Sequence, residues 1–207
     1  LIKTKHVFLF GHRKQHGKNV SAEILEEYLR ELDISCQPAY FAKSLKLYSS
    51  LKYNLIFDLM DDNDYKCSKP KHLNGLSVRD VLIREGLNAR DIWLDTWAYA
   101  SFKEIFDSGK EIGIISDFRF PNEYDSFYSI LDAYVSANPY NNSYIEKPKI
   151  HKILVNRKDG IFANDGADDQ VPDDESYWDF VIRNDDKTPA WRENIKRQLR
   201  DIISKVL

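Results

Sequence analysis

The residues that could do chemistry begin with Gly11, Gly17 and Lys18, which read as the phosphate loop G-x-x-x-x-G-K, here with five residues and not four between the glycines. Glycines let the backbone curl until consecutive N–H groups face one concavity. The helix that follows adds its positive dipole end, and the lysine reaches the terminal phosphates of a nucleotide. His12, Arg13, Lys14 and His16 make the same loop strongly basic. The expected phosphate-binding set is Gly11, His12, Arg13, Lys14, Gly17, Lys18, Asn19 and Val20. The alternative is a glycine turn carrying a surface lysine. Asn19 stands where a hydroxyl ordinarily helps to hold Mg²⁺. Its amide oxygen is a longer, neutral and weaker ligand, so the metal site reads as altered and not absent.

A second group lies in IISDFRFPNE, residues 114–123. An apolar strand that ends in Asp117 places a carboxylate at the carboxyl edge of a sheet, where a parallel α/β protein gathers its ligands. Asp117 is expected to help hold Mg²⁺ through water, with Asn19 as the other ligand. Arg119 leaves the same strand end and can fork onto a phosphate. The competing reading for both is a structural ion pair. Glu123 is explained by the helix dipole alone if a helix begins at Pro121.

The elements that must position these residues alternate strand and helix from end to end, which predicts an α/β fold with a mainly parallel sheet flanked by helices. Strands are expected near Lys5–Phe10, Cys36–Phe41, over EIGIIS, over HKILVN and over YWDFVIRND. Apolar residues at three- and four-residue spacing predict helices over Lys18–Leu32, Ala42–Asp58, Ile92–Asp107 and Trp191–Val206. Ser77, with Asp80 three residues on, caps a further helix expected to stop at Gly86. Residues Asp61–Gly75 read as a loop and Asn138–Lys149 as a surface excursion. Arg157–Glu175, acidic and poor in apolar residues, reads as a mobile lid.

The 207 residues, 43% of them hydrophobic, fit one domain of ordinary size or a core with a small appended lobe, and a net charge of −3 argues against nucleic-acid polymers and membrane surfaces as partners. Cys36 and Cys67 lack metal-ligand spacing, and a reduced compartment is expected. No apolar run reaches the ~18 residues that span a bilayer, and a cytoplasmic location is expected.

Taken in order, FGHRKQHGK, YFAKSLK, SVRDVLIREGLNARDIWLDTW, IISDFRFPNEYD and DDESYWDFVIRND resemble the deoxynucleoside monophosphate kinases of tailed bacteriophages. The resemblance runs from His6 to the last helix. It implies a P-loop NTPase fold of the nucleoside monophosphate kinase kind, and a single kinase domain with a substrate-binding helical region over about 42–108 and a lid over about 157–175. The activity implied is transfer of phosphate from ATP, with Mg²⁺, to a dNMP for DNA precursor synthesis, in the cytoplasm of an infected bacterium. By position, Lys18, Asp117, Arg119 and Arg157 would be catalytic. Lys43, Arg79, Arg84, Arg90, Trp93 and Arg119 would bind the acceptor, though Trp93 reads equally well as a core aromatic. Asn19 departs from the family, which usually carries an acid there, and the 138–149 excursion is longer than expected. Tyr124, Phe127 and Tyr128 would pack on the sheet or form a homodimer face. Competing readings are a P-loop kinase for another phosphorylated small molecule and a nucleotide-binding module with weakened catalysis.

Overall fold

The computed structural model describes residues 2–11, 16–137, 146–158 and 170–207. Positions 12–15, most of the expected excursion and most of the expected lid therefore lie outside the described residues. The chain forms two compact units, Leu1–Tyr40 with Phe102–Leu207, and Phe41–Ser101.

The first unit is built on strands β1 (His6–Gly11), β2 (Cys36–Ala39), β3 (Ile112–Phe118), β4 (Lys149–Asn156) and β5 (Phe180–Arg183). They form one sheet in the order β2-β3-β1-β4-β5, and every pairing is parallel. The central strand is buried along its whole length, as expected of a strand covered on both faces, which is why HVFLF reads as an unbroken apolar run. Helix α1 (Lys18–Glu31) leaves β1, and the closing helix α8 (Trp191–Val206) packs against it. Together with Phe8, Phe10, Ile112, Ile114, Ile153 and Val155, their apolar sides Leu25, Leu29, Ile195 and Leu199 form one continuous core. On the opposite face Gly113 admits Ile105, whose side chain would lie 2.8 Å from a Cβ at that position. Around it, Phe102, Phe106, Phe127 and Tyr134 meet ring to ring. These rings come from α5 (Thr96–Asp107) and α7 (Phe127–Ala137), with the single-turn α6 (Pro121–Asp125) before α7. Phe127 is fully buried while Tyr128 remains 41% exposed.

The second unit holds α2 (Ala42–Tyr53), the short α3 (Asn63–Cys67) and α4 (Val78–Ile92), and the first turns of α5. Its small core is Leu55, Met60, Leu73, Val78 and Val81.

Several boundaries differ from the sequence expectation. Helix α2 stops at Tyr53, because Asn54 turns left-handed at φ 48°, a conformation asparagine tolerates better than most residues. The stretch expected as a loop, 61–75, contains α3, capped by the Asp62 carboxylate accepting from Tyr65 N–H at 2.7 Å, and a 3-10 turn at Lys71–Leu73. Helix α4 starts with the expected capping box but runs through Gly86 to Ile92. An interior glycine costs a helix about 1 kcal/mol against alanine. Here it serves packing: a Cβ would lie 3.3 Å from the Leu45 side chain, and its carbonyl accepts the Trp97 indole N–H at 3.2 Å. Helix α5 consequently begins at Thr96 and not Ile92. The last strand is only Phe180–Arg183, since Glu175–Tyr177 forms a 3-10 turn. Cys36 and Cys67 are free thiols. Among the described residues no helix is long and apolar enough to cross a membrane.

Candidate functional site

The carboxyl edge of the first unit's sheet gathers the loop and both strand-end groups. Gly11 ends β1, and the six-membered ring of Trp178 lies so close that a Cβ would come within 2.3 Å of it and within 2.8 Å of Phe118. Gly17 caps α1 from a left-handed backbone, φ 98° and ψ 22°, which disfavours a side chain there. Its carbonyl accepts the Ser21 N–H at 2.9 Å, so the helix begins directly behind it. Lys18, the first helical residue, is buried, whereas Asn19 is exposed and Val20 packs partly against the core. Of the expected phosphate-binding set, His12, Arg13 and Lys14 lie outside the described residues.

The end of β3 is irregular where it meets β1. Leu9 pairs with Ile115 but Gly11 pairs with Phe118, so three residues of β3 advance against two of β1, and Ser116 and Asp117 lie at the slip. Such bulges re-aim side chains and are frequent beside active sites. Asp117 is half-buried there. Arg119 follows, its backbone fixed from two sides. Its N–H donates to the Glu123 carboxylate at 2.9 Å, and its carbonyl accepts from Gln170 N–H at 2.8 Å and Val171 N–H at 3.1 Å. Glu123 is 3% exposed and also accepts the Phe120 N–H at 3.1 Å, which makes it a helix-start capping group.

Two residues that sequence reasoning left without a role complete this edge. His16 is fully buried. Its Nδ1 accepts the Arg157 N–H at 3.2 Å, and its carbonyl accepts the Asn184 side-chain amide at 2.9 Å. Asn184 follows β5, and its own N–H donates to the Asn156 carbonyl at 2.8 Å. The neighbouring Asp185 carboxylate accepts the Lys158 N–H at 2.7 Å. Arg157 thus stands at the end of β4 with its backbone against the loop. A short Arg-Asn-Asp after a strand was the only sequence signal for Asn184, and its partner lies 168 residues away.

The remaining expected residues belong to the second unit. Lys43 lies in the first turn of α2. Arg79 donates to the Asn63 side-chain oxygen at 2.9 Å. Arg84 lines a cavity of about 330 Å³ with Tyr53, His72, Glu85 and Asn88. Arg90 occupies the last turn of α4. Trp93 is not a core aromatic: it is 44% exposed, its ring 5.1 Å from that of Tyr99, and the packed tryptophan is Trp97. Within the unit, burial pushes the Glu85 carboxyl up, but hydrogen bonds from Tyr53 and Lys52 outweigh it and hold the group below the usual carboxylate range.

Asn19, exposed in the first turn of α1, and Asp117, half-buried at the slip of β3, carry the amide oxygen and the carboxylate expected to hold Mg²⁺. Among the described residues no group of three or more His, Cys, Asp or Glu side chains forms a dedicated metal centre.

The sequence matches no protein-family model and no curated protein. Among solved structures it is similar to the APS kinase of Mycobacterium tuberculosis, as a cysteine-to-alanine variant, at 15% identity, with 98% of this chain and 96% of that chain covered and a TM-score of 0.47. The same enzyme in complex with AMPPNP and APS matches at 15% identity and the same coverage, with a TM-score of 0.49. A hexameric APS kinase of Thiobacillus denitrificans matches at 14% identity over 99% of this chain and 30% of its own, with a TM-score of 0.41.

Proposed function

We propose that this chain is a P-loop kinase that transfers the terminal phosphoryl group of ATP to a deoxynucleoside monophosphate. The observation that carries the reading is the placement of Gly17 and Lys18 between the central parallel strand and the start of α1, with Asp117 at a register slip on the adjacent strand end. The specific acceptor comes from the resemblance of five sequence blocks to the phage enzymes, and the loop's extra residue, Asn19 and the long 138–149 stretch are its departures from that pattern.

Phosphoryl transfer asks the protein for positioning and charge neutralisation more than for covalent chemistry. Lys18 and the N–H groups at the start of α1 stabilise the β- and γ-phosphates. Asn19 and Asp117 would hold Mg²⁺, which would supply neutralisation of the phosphate charge. By the resemblance, Lys43, Arg79, Arg84, Arg90 and Arg119 would be acceptor-side cations, and Trp93 would offer a ring for the base. Arg157, whose backbone N–H donates to His16 Nδ1, would supply a further cation. A general base is unnecessary, because a monophosphate dianion is already a nucleophile at neutral pH.

The reading is tested by measuring ADP formation from ATP and Mg²⁺ with each of the four dNMPs, with AMP, and with APS. Turnover with at least one dNMP well above that with APS is expected. Turnover with APS alone moves the protein to a different acceptor, and tight ATP binding without any turnover makes it a nucleotide-binding module.

A further inference from the structure

Among the described residues, His16 at the end of the glycine loop is held from the ends of β4 and β5. The Asn184 side-chain nitrogen donates to the His16 carbonyl at 2.9 Å, and the same nitrogen lies 2.5 Å from where a Cβ on Gly17 would be. Asn184 is itself held by its N–H to the Asn156 carbonyl at 2.8 Å. On the ring side, His16 Nδ1 accepts the Arg157 N–H at 3.2 Å, so the neutral imidazole carries its proton on Nε2. The described residues have no cis peptide bond, and in a trans peptide the carbonyl and the following N–H point in opposite directions. Holding the His16 carbonyl towards Asn184 therefore aims the Gly17 N–H the other way, away from β5.

We propose that Asn184 is a positioning residue for the phosphate loop: its side-chain amide fixes the His16–Gly17 peptide and with it the aim of the Gly17 N–H and of Lys18 at the nucleotide. This rests on the kinase reading above. Asparagine suits the task because it is a neutral donor. Aspartate would set a carboxylate against a carbonyl oxygen and add negative charge beside an anionic ligand. The absence of a side chain on Gly17 is the other half of the fit, since the amide fills the space a Cβ would need.

The test uses the full chain with Asn184→Ala and Asn184→Asp, reading the Kd for ATP by calorimetry, KM for the dNMP and the melting temperature. Asn184→Ala is expected to raise the ATP Kd about tenfold, the order of one net hydrogen bond, while leaving the dNMP KM within about twofold. Asn184→Asp, closer to asparagine in shape, is expected to be worse than alanine. A residue that merely supported the fold would show the reverse order, and would weaken ATP and dNMP together. That pattern, or an ATP Kd within twofold of wild type in both variants, overturns the inference alone. A wild-type chain that binds no ATP overturns the kinase reading and this inference with it.

Discussion

Gly11 is hemmed in by two aromatic rings, and that crowding fixes where the central strand ends and the loop departs. Gly11→Ala places a methyl group within 2.3 Å of Trp178 and 2.8 Å of Phe118, and rigid rings in a packed layer give way poorly. The expected cost is about 1–3 kcal/mol, measured as a lower midpoint of urea unfolding. An unchanged midpoint would show that Trp178 moves aside freely. At the opposite end of β1, His6 Nδ1 meets His151 Nε2 at 3.0 Å, the rings stacked with centroids 5.3 Å apart. Burial, then the neighbouring charges of His151, Lys149 and Lys5, push the His6 pKa down to about 4, with Glu146 opposing. Burial also lowers that of His151, opposed by Asp179. The unfolded chain takes up these protons near pH 6.5. Between there and about pH 4 it holds more protons than the native state, so stability rises with pH. The contribution is fully present above pH 6.5 and is lost as pH falls towards 4. On the order of 3 kcal/mol is at stake for His6. His6→Phe should therefore flatten the fall in unfolding midpoint between pH 7 and pH 4.5, and a slope equal to wild type would contradict this. The sequence shows these residues but not their partners. Gly11 is conspicuous as a glycine after a strand, whereas Trp178 and His151 reach β1 only through the sheet order.

Elements were legible where local chemistry decides them. The capping box of α4 is one: the Ser77 hydroxyl accepts the Asp80 N–H at 3.1 Å, and the Asp80 carboxylate accepts the Ser77 N–H at 2.8 Å. Ser77→Ala should cost about 1 kcal/mol, read as a lower melting temperature. No change would show that tertiary packing alone holds the helix start. Helices α1 and α8 were legible from periodicity to within a residue, and β1 and β3 from unbroken apolar runs. Gly86 was misread because glycine punctuates helices in isolation, and only Leu45 and the Trp97 indole show why it belongs inside one. The slip in β3 was not legible either. It is a property of two strands in register, and neither strand's sequence marks it.

At the scale of the molecule, alternation of strands and helices foretold the parallel sheet, and Gly17, Lys18, Asp117, Arg119 and Arg157 do reach one edge of it. Length left room for a small appended lobe, and Lys43, Arg79, Arg84, Arg90 and Trp93 lie in a second unit, Phe41–Ser101, that has a small core of its own. The central claim is that the loop at the head of α1 performs phosphoryl transfer. The most direct test is the rate of ADP formation with ATP, Mg²⁺ and the best dNMP, compared between wild type and Lys18→Ala, with melting temperatures measured beside it. A rate at least about a hundredfold lower in the variant is expected, with a melting transition retained. Kinase activity in Lys18→Ala close to that of wild type would contradict it.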